Sequence, residues 1–202
     1  RSPSRGLGDV YKRQAFMGVD GSGKSTLVKK LSYHLKNNYK KTKNLHLRPY
    51  FFLTDKRTVV SKPHQQKNLR SQTASLFIIL TWLFIYRIFF FLNLRKKNQL
   101  IIFDRYAHDL LIDKVRYRYN LSEKITKFIL SFFPEPHLWI FLKSPIKLIE
   151  KRKKELPTKE LKRQMKEYSN FFKIKSNVVV VNTSLKIKKN ILLIERKMKS
   201  IV

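Results

Sequence analysis

The chain has 202 residues, no cysteine, and 45 Lys and Arg against 13 Asp and Glu, a formal net charge of +32. The missing thiols exclude a disulfide scaffold and a thiolate metal site, and the length suits one domain with a sizeable core. So basic a chain attracts nucleotides, nucleic acid and anionic lipid. The sequence is also crowded with Lys, Asn, Ile and Phe, whose codons are rich in A and T, so charge alone assigns no partner.

Residues 1–14, Asp9-Val10-Tyr11-Lys12-Arg13-Gln14 above all, read as the in-frame translation of a sequencing adapter and not as native sequence, so the domain is expected over 15–202. The apolar run 15–19 reads as a first strand and 24–39 as a helix. Between them stands Gly18-Val19-Asp20-Gly21-Ser22-Gly23-Lys24-Ser25-Thr26, a phosphate-binding loop in the required order of strand, loop, helix. Glycine at positions 18, 21 and 23 lets the backbone curl so that successive N–H groups face phosphate oxygens. Lys24 is expected to neutralise the reacting phosphates, Ser25 to coordinate Mg²⁺, and Gly18, Asp20 to Gly23 and Thr26 to complete the ATP cradle at the helix N-terminus.

The second strand, 44–47, runs into His46-Leu47-Arg48-Pro49, where the proline stops it and leaves Arg48 beside the loop. In the helix read over 64–96, the stretch 75–94 is apolar with one charge, Arg87, and hydropathy alone would permit a membrane span. A crossing would put the phosphate loop and Asp104-Arg105 on opposite sides of the bilayer. The expectation is therefore a helix packed on the sheet, with spare apolar surface for a homodimer or at most peripheral membrane contact. The third strand, 100–103, ends in Asp104-Arg105-Tyr106. An apolar strand ending in Asp places a carboxylate near Mg²⁺ and its waters. The following arginine suits a bidentate hold on a phosphorylated acceptor, which favours a kinase over a hydrolase. Helices are read over 106–118, 122–132, 145–155, 158–175 and 185–200, with strands at 138–142 and 178–181. Such alternation predicts an α/β fold with a parallel sheet.

The loop 18–26, taken with His46-Leu47-Arg48-Pro49, Asp104-Arg105-Tyr106 and Pro136-His137-Leu138, resembles the thymidylate kinase family, its divergent thymidylate kinase-like members in particular, over 15–202. The resemblance implies a single-domain P-loop kinase fold with five parallel strands flanked by helices. It also implies ATP as donor, Mg²⁺, a nucleoside monophosphate acceptor, thymidylate by default, and a cytoplasmic enzyme. Asp20 is implied to contact the acceptor near its sugar or phosphate, with Arg48 and Arg105 on that phosphate and Asp104 and Tyr106 in the same substrate site. Typical members follow Asp-Arg-Tyr with a Ser-Ser and Ala-Tyr-Gln pattern, whereas this chain has Ala107-His108-Asp109-Leu110-Leu111-Ile112-Asp113. A same-fold kinase for another small phosphate or sugar acceptor is therefore the alternative.

Some members carry the catalytic cation in the loop and others in a lid. Gly21 holds the loop position, so the lid over 151–168 is expected to supply it from Arg152, Lys153 or Arg163. A third reading, of another class, is a basic ATP-binding protein that holds nucleic acid or anionic membrane. The aromatics gather in one apolar helix and not on a stacking platform, so no specific nucleic-acid partner is expected. His34, His64, His108 and His137 show no metal-ligand spacing.

Overall fold

The computed structural model describes residues 12–47, 68–93, 98–153 and 156–201. Five strands, β1 (Lys12–Met17), β2 (Lys41–His46), β3 (Gln99–Asp104), β4 (Leu138–Lys143) and β5 (Val178–Asn182), form one parallel sheet in the order β2-β3-β1-β4-β5. The helices are α1 (Lys24–His34), α2 (Gln72–Asn93), α3 (Asp109–Ile112), α4 (Lys114–Tyr117), α5 (Glu123–Leu130), α6 (Ile146–Arg152), α7 (Thr158–Lys173) and α8 (Ile187–Ser200). The expected α/β architecture with a five-stranded parallel sheet is the observed one.

The described residues fall into two compact units. The sheet, α1 and α6 to α8 lie in the first, and residues Leu47–Asn93 with Ala107–Glu135, carrying α2 to α5, make the second. In the sheet unit β4 is apolar on both faces because helices cover both. Leu138, Ile140 and Leu142 of β4 join a core with Leu27 and Leu31 of α1 and Ile194 of α8. The alternate residues Trp139 and Phe141 meet Phe171, Phe172 and Tyr168 of α7 on the opposite side. In the helical unit, the Tyr86 ring meets Phe133 and its hydroxyl donates to the Leu47 carbonyl at 3.0 Å, while Trp82 meets Tyr117 edge-on.

Two departures from the sequence reading reshape elements next to the loop and after Tyr106. β1 begins at Lys12, three residues inside the segment set aside as adapter, with Lys12, Arg13 and Gln14 paired to Leu100, Ile101 and Ile102 of β3. Backbone amides build a parallel ladder with little regard to side chain, so the sheet takes these residues in. Gln14 is nevertheless buried with neither carboxamide atom hydrogen-bonded, a burial that costs on the order of 1–3 kcal/mol. The helix read over 106–118 is broken in two. Asp113 leaves the helical region at φ −122°, ψ 63° and accepts a hydrogen bond from the Arg116 amide at 3.3 Å, capping α4 where apolar periodicity alone showed no stop.

Candidate active site

Every placed element of the site lies at the carboxyl edge of the sheet, where β1, the middle strand, is flanked by β3 and β4. Gly18, Gly21 and Gly23 adopt φ of 147°, 78° and 92°. These are backbone conformations that disfavour an L side chain. Crowding reinforces the requirement, since a Cβ on Gly18 would stand 2.8 Å from the Leu142 carbonyl oxygen of β4. Gly23 begins α1 without a side-chain cap, so the first N–H groups of that helix remain for a phosphate.

Lys24 is buried, at 6% exposure. Its Nζ donates to the Gly18 and Val19 carbonyls at 2.7 Å each and lies 3.9 Å from the Asp20 carboxylate. The loop thus holds its own cation by the same carbonyls that its curl turns inward. Ser25 Oγ donates to Asp104 Oδ2 at 2.8 Å, joining residues 79 positions apart. The register explains it: Asp104 is the last residue of β3 and pairs with Phe16, just before the loop. A hydroxyl and a carboxylate meeting at the loop are the hard oxygen donors that Mg²⁺ prefers, and so fit that ion. The described residues contain no group of three or more His, Cys, Asp or Glu able to hold a metal, so the remaining coordination would come from phosphate and water.

Arg105 takes φ 79°, unusual for a non-glycine residue and worth on the order of 1–3 kcal/mol of strain. Its amide donates to the Phe16 carbonyl at 2.9 Å, and its nearly buried guanidinium forms an ion pair with Asp20. The two residues assigned to the acceptor are therefore brought together across 85 positions. Tyr106 is buried, at 0% exposure, its ring edge-on to Phe103 and Trp139, because the chain turns back into the core one residue after Arg105.

Two of the lid candidates lie against the loop. Arg152 ends α6, and its Nη1 would stand 3.4 Å from a Cβ placed on Gly23, so the guanidinium lies against the loop. Lys153 follows, with its Cβ 3.3 Å from one placed on Gly21. Arg163 sits on α7 in a two-pronged contact with Glu160, at 2.8 and 2.6 Å. Arg48 lies outside the described residues, as do 154–155 of the expected lid. Thr26 is exposed in the first turn of α1, and Ser22 is buried beneath the loop.

Sequence reasoning missed Ser144. It is buried just past β4, donates to the Ser22 carbonyl at 3.3 Å, and its hydroxyl meets that of Thr183, so it braces the loop from the neighbouring strand ends. A serine at the carboxyl end of a buried strand, ahead of a proline, was the available signal. Lys143, beside it, is exposed, and its carbonyl accepts from the Thr183 amide at 3.1 Å. Of the histidines, His34 contacts Glu195 at 2.9 Å and holds that carboxyl below its usual range, with Lys199 adding to the effect. His137 accepts from Arg13 at 2.8 Å; burial first, then Arg13 and Lys12, lower its pKa to about 4. Neither histidine touches the loop in these contacts, and His64 lies outside the described residues.

Residues 16–192 match the thymidylate kinase family, which is most of the chain. The chain belongs to the thymidylate kinase family. Its fold is similar to the thymidylate kinase of Candida albicans, at TM-score 0.60 and 19% identity, with 94% of this chain and 92% of that one covered. No curated protein matches. As a member of the thymidylate kinase family the protein is a nucleotide kinase, a phosphotransferase acting on nucleoside monophosphates. The third reading, a basic protein that only binds ATP, gives way to this one.

Proposed function

We propose that the protein transfers the γ-phosphate of ATP to thymidylate, giving dTDP, with Mg²⁺. The observation that carries this reading is the meeting of Lys24, Ser25, Asp104 and the Arg105–Asp20 pair at one sheet edge. In this reading Ser25 and Asp104 hold Mg²⁺, whose contribution is to neutralise charge on the transferring phosphoryl group and orient it. The chain's own residues position and neutralise. The loop amides and Lys24 bind the donor phosphates, Arg152 closes over them as the lid cation, and Arg105 with Asp20 holds the acceptor. No covalent intermediate on the enzyme is needed.

A second acceptor class, a small phosphate or sugar phosphate, is favoured by one feature of the helical unit. Where typical family members carry small polar residues and an Ala-Tyr-Gln pattern, this chain buries His108, Asp109 and Asp113. Release of ADP from Mg-ATP, followed across a panel of nucleoside monophosphates and sugar phosphates, decides between the two. Fastest turnover with dTMP is expected. Turnover confined to sugar phosphates would move the proposal to the second class.

A further inference from the structure

We propose that Ser144 is a positioning residue for phosphoryl transfer: its hydroxyl, itself held by that of Thr183, fixes the peptide unit between Ser22 and Gly23 so that the Gly23 N–H faces the ATP phosphates. This role rests on the reading of the loop as the ATP site, and it is independent of which acceptor the kinase uses. Ser144 stands buried just past β4 and donates to the Ser22 carbonyl at 3.3 Å. Ser22 is buried too, and its amide donates to the Val19 carbonyl at 3.2 Å. The described residues contain no cis peptide bond, so the Gly23 N–H points opposite to the Ser22 carbonyl in the same plane. With the carbonyl held on the strand end, that N–H is turned away from it, at the start of α1 where an anion is bound.

The local chain does not secure that orientation by itself. Turning the unit over changes ψ of Ser22 and φ of Gly23, and a glycine accepts either sign of φ. An overturned unit would aim the Ser22 carbonyl at phosphate oxygens, replacing an attraction by a repulsion. Ser22 Oγ also lies 3.5 Å from Lys24 Nζ, so a shift at Ser22 reaches the cation as well. Proton counting gives Thr183 its part. A serine hydroxyl has one proton, and Ser144 directs it to the Ser22 carbonyl, so toward Thr183 it can only accept. Thr183 Oγ1 is then the donor of that contact, and the Thr183 amide is tied to the Lys143 carbonyl at 3.1 Å. Two such bonds in series polarise and strengthen each other. The turn after β5 is fixed in its own right: the Ser184 amide donates to Asn182 Oδ1 at 3.0 Å, and Asn190 Nδ2 of α8 to the Asn182 carbonyl at 2.9 Å. The ends of β4 and β5 thus act on the loop through one chain of hydroxyls, all within the sheet unit.

The test uses the full chain, with inorganic tripolyphosphate, the phosphate chain of ATP without its nucleoside, as the probe. The sequence has five glycines, so isotope-labelled glycine lets the amides of Gly18, Gly21 and Gly23 be followed singly by NMR. In the unaltered chain the Gly23 amide signal is expected to move when the probe binds. Ser144→Ala should weaken the probe about tenfold and Thr183→Val about threefold, the range for one hydrogen bond lost or left unsupported. Both should shrink the Gly23 response and lower kcat with Mg-ATP, and Thr183→Ser, which keeps the hydroxyl, should restore all three readouts. Melting curves confirm that the variants are folded, and Thr183→Val, at a half-buried position, reads the same chain if Ser144→Ala does not fold. Unchanged probe affinity and an unchanged Gly23 signal in the variants, even with a lower melting temperature, would overturn the proposal and leave Ser144 a structural brace. So would Thr183→Val and Thr183→Ser behaving alike. An unaltered chain that ignored both tripolyphosphate and ATP would overturn the ATP-site reading itself and this role with it, an outcome distinct from the other two.

Discussion

The ammonium group of Lys24 already has two carbonyl partners in the loop, Gly18 and Val19, so it shapes the loop as well as facing a ligand. Removing it strips a catalytic cation and leaves two inward carbonyls without that donor. Lys24→Ala should therefore lower phosphoryl transfer by about 10²–10³, the usual loss for one charge clamp. It should also lower unfolding stability by about 1–2 kcal/mol. A coupled ADP assay and a denaturant melt measure the two effects separately; full turnover in the variant would remove Lys24 from the machinery. Arg105 shows the same doubling of roles. Its strained backbone turns the chain out of β3 and back into the core at Tyr106, while its side chain meets Asp20. The turn that aims the guanidinium is the turn that buries the tyrosine.

At the scale of elements, α6 and the phosphate loop form one packed piece. A Cβ on Gly21 would stand 3.1 Å from Ile149 Cγ2 and 3.3 Å from the Ile149 carbonyl, at a φ of 78°. A loop side chain at this position therefore has no room, which is consistent with the proposed supply of the cation from the end of α6. Gly21→Ala should push α6 from the loop and carry Arg152 with it. The expected outcome is a drop in kcat larger than the change in KM for ATP, with about 1–2 kcal/mol lost in stability. Steady-state kinetics beside a thermal melt give the comparison; unchanged kcat would show that the position of α6 does not matter to the reaction.

Over the whole molecule, the pH dependence of stability should carry the mark of one histidine. Arg13 can only donate, so its bond to Nε2 of His137 requires a neutral ring, and burial and nearby cations hold the pKa at about 4 against an ordinary 6.5. Between those values the unfolded chain binds more protons than the folded one. Stability is then fully present above pH 6.5 and falls as the pH drops toward 4. The lowered carboxyl of Glu195 adds its loss further down, below the ordinary carboxylate pKa, as the contact with His34 is protonated away. Melting temperature measured against pH should flatten between 6.5 and 4 in His137→Asn, which cannot titrate; an unchanged slope would place the proton uptake elsewhere.

The strand and loop from 15 and the helix after them, the apolar strand ending in Asp104, and the alternation of strands with helices were legible because each is written in contiguous residues, by spacing and by glycine. That was enough to establish a parallel α/β sheet with a phosphate loop, and the family resemblance followed from the same short motifs. What depends on register was not legible. The pairing of Asp104 with Phe16 puts Ser25, Asp104, Arg105 and Asp20 together, and no local pattern specifies which residue of β3 stands opposite which residue of β1. The burial of Lys24 and Tyr106, the brace at Ser144, the place of Arg152 against the loop, and the division into two units all arise from contacts between segments distant in sequence. Tertiary structure decided these because a side chain's partner is set by the packing of whole elements, whereas its own neighbours in sequence set only the element it belongs to.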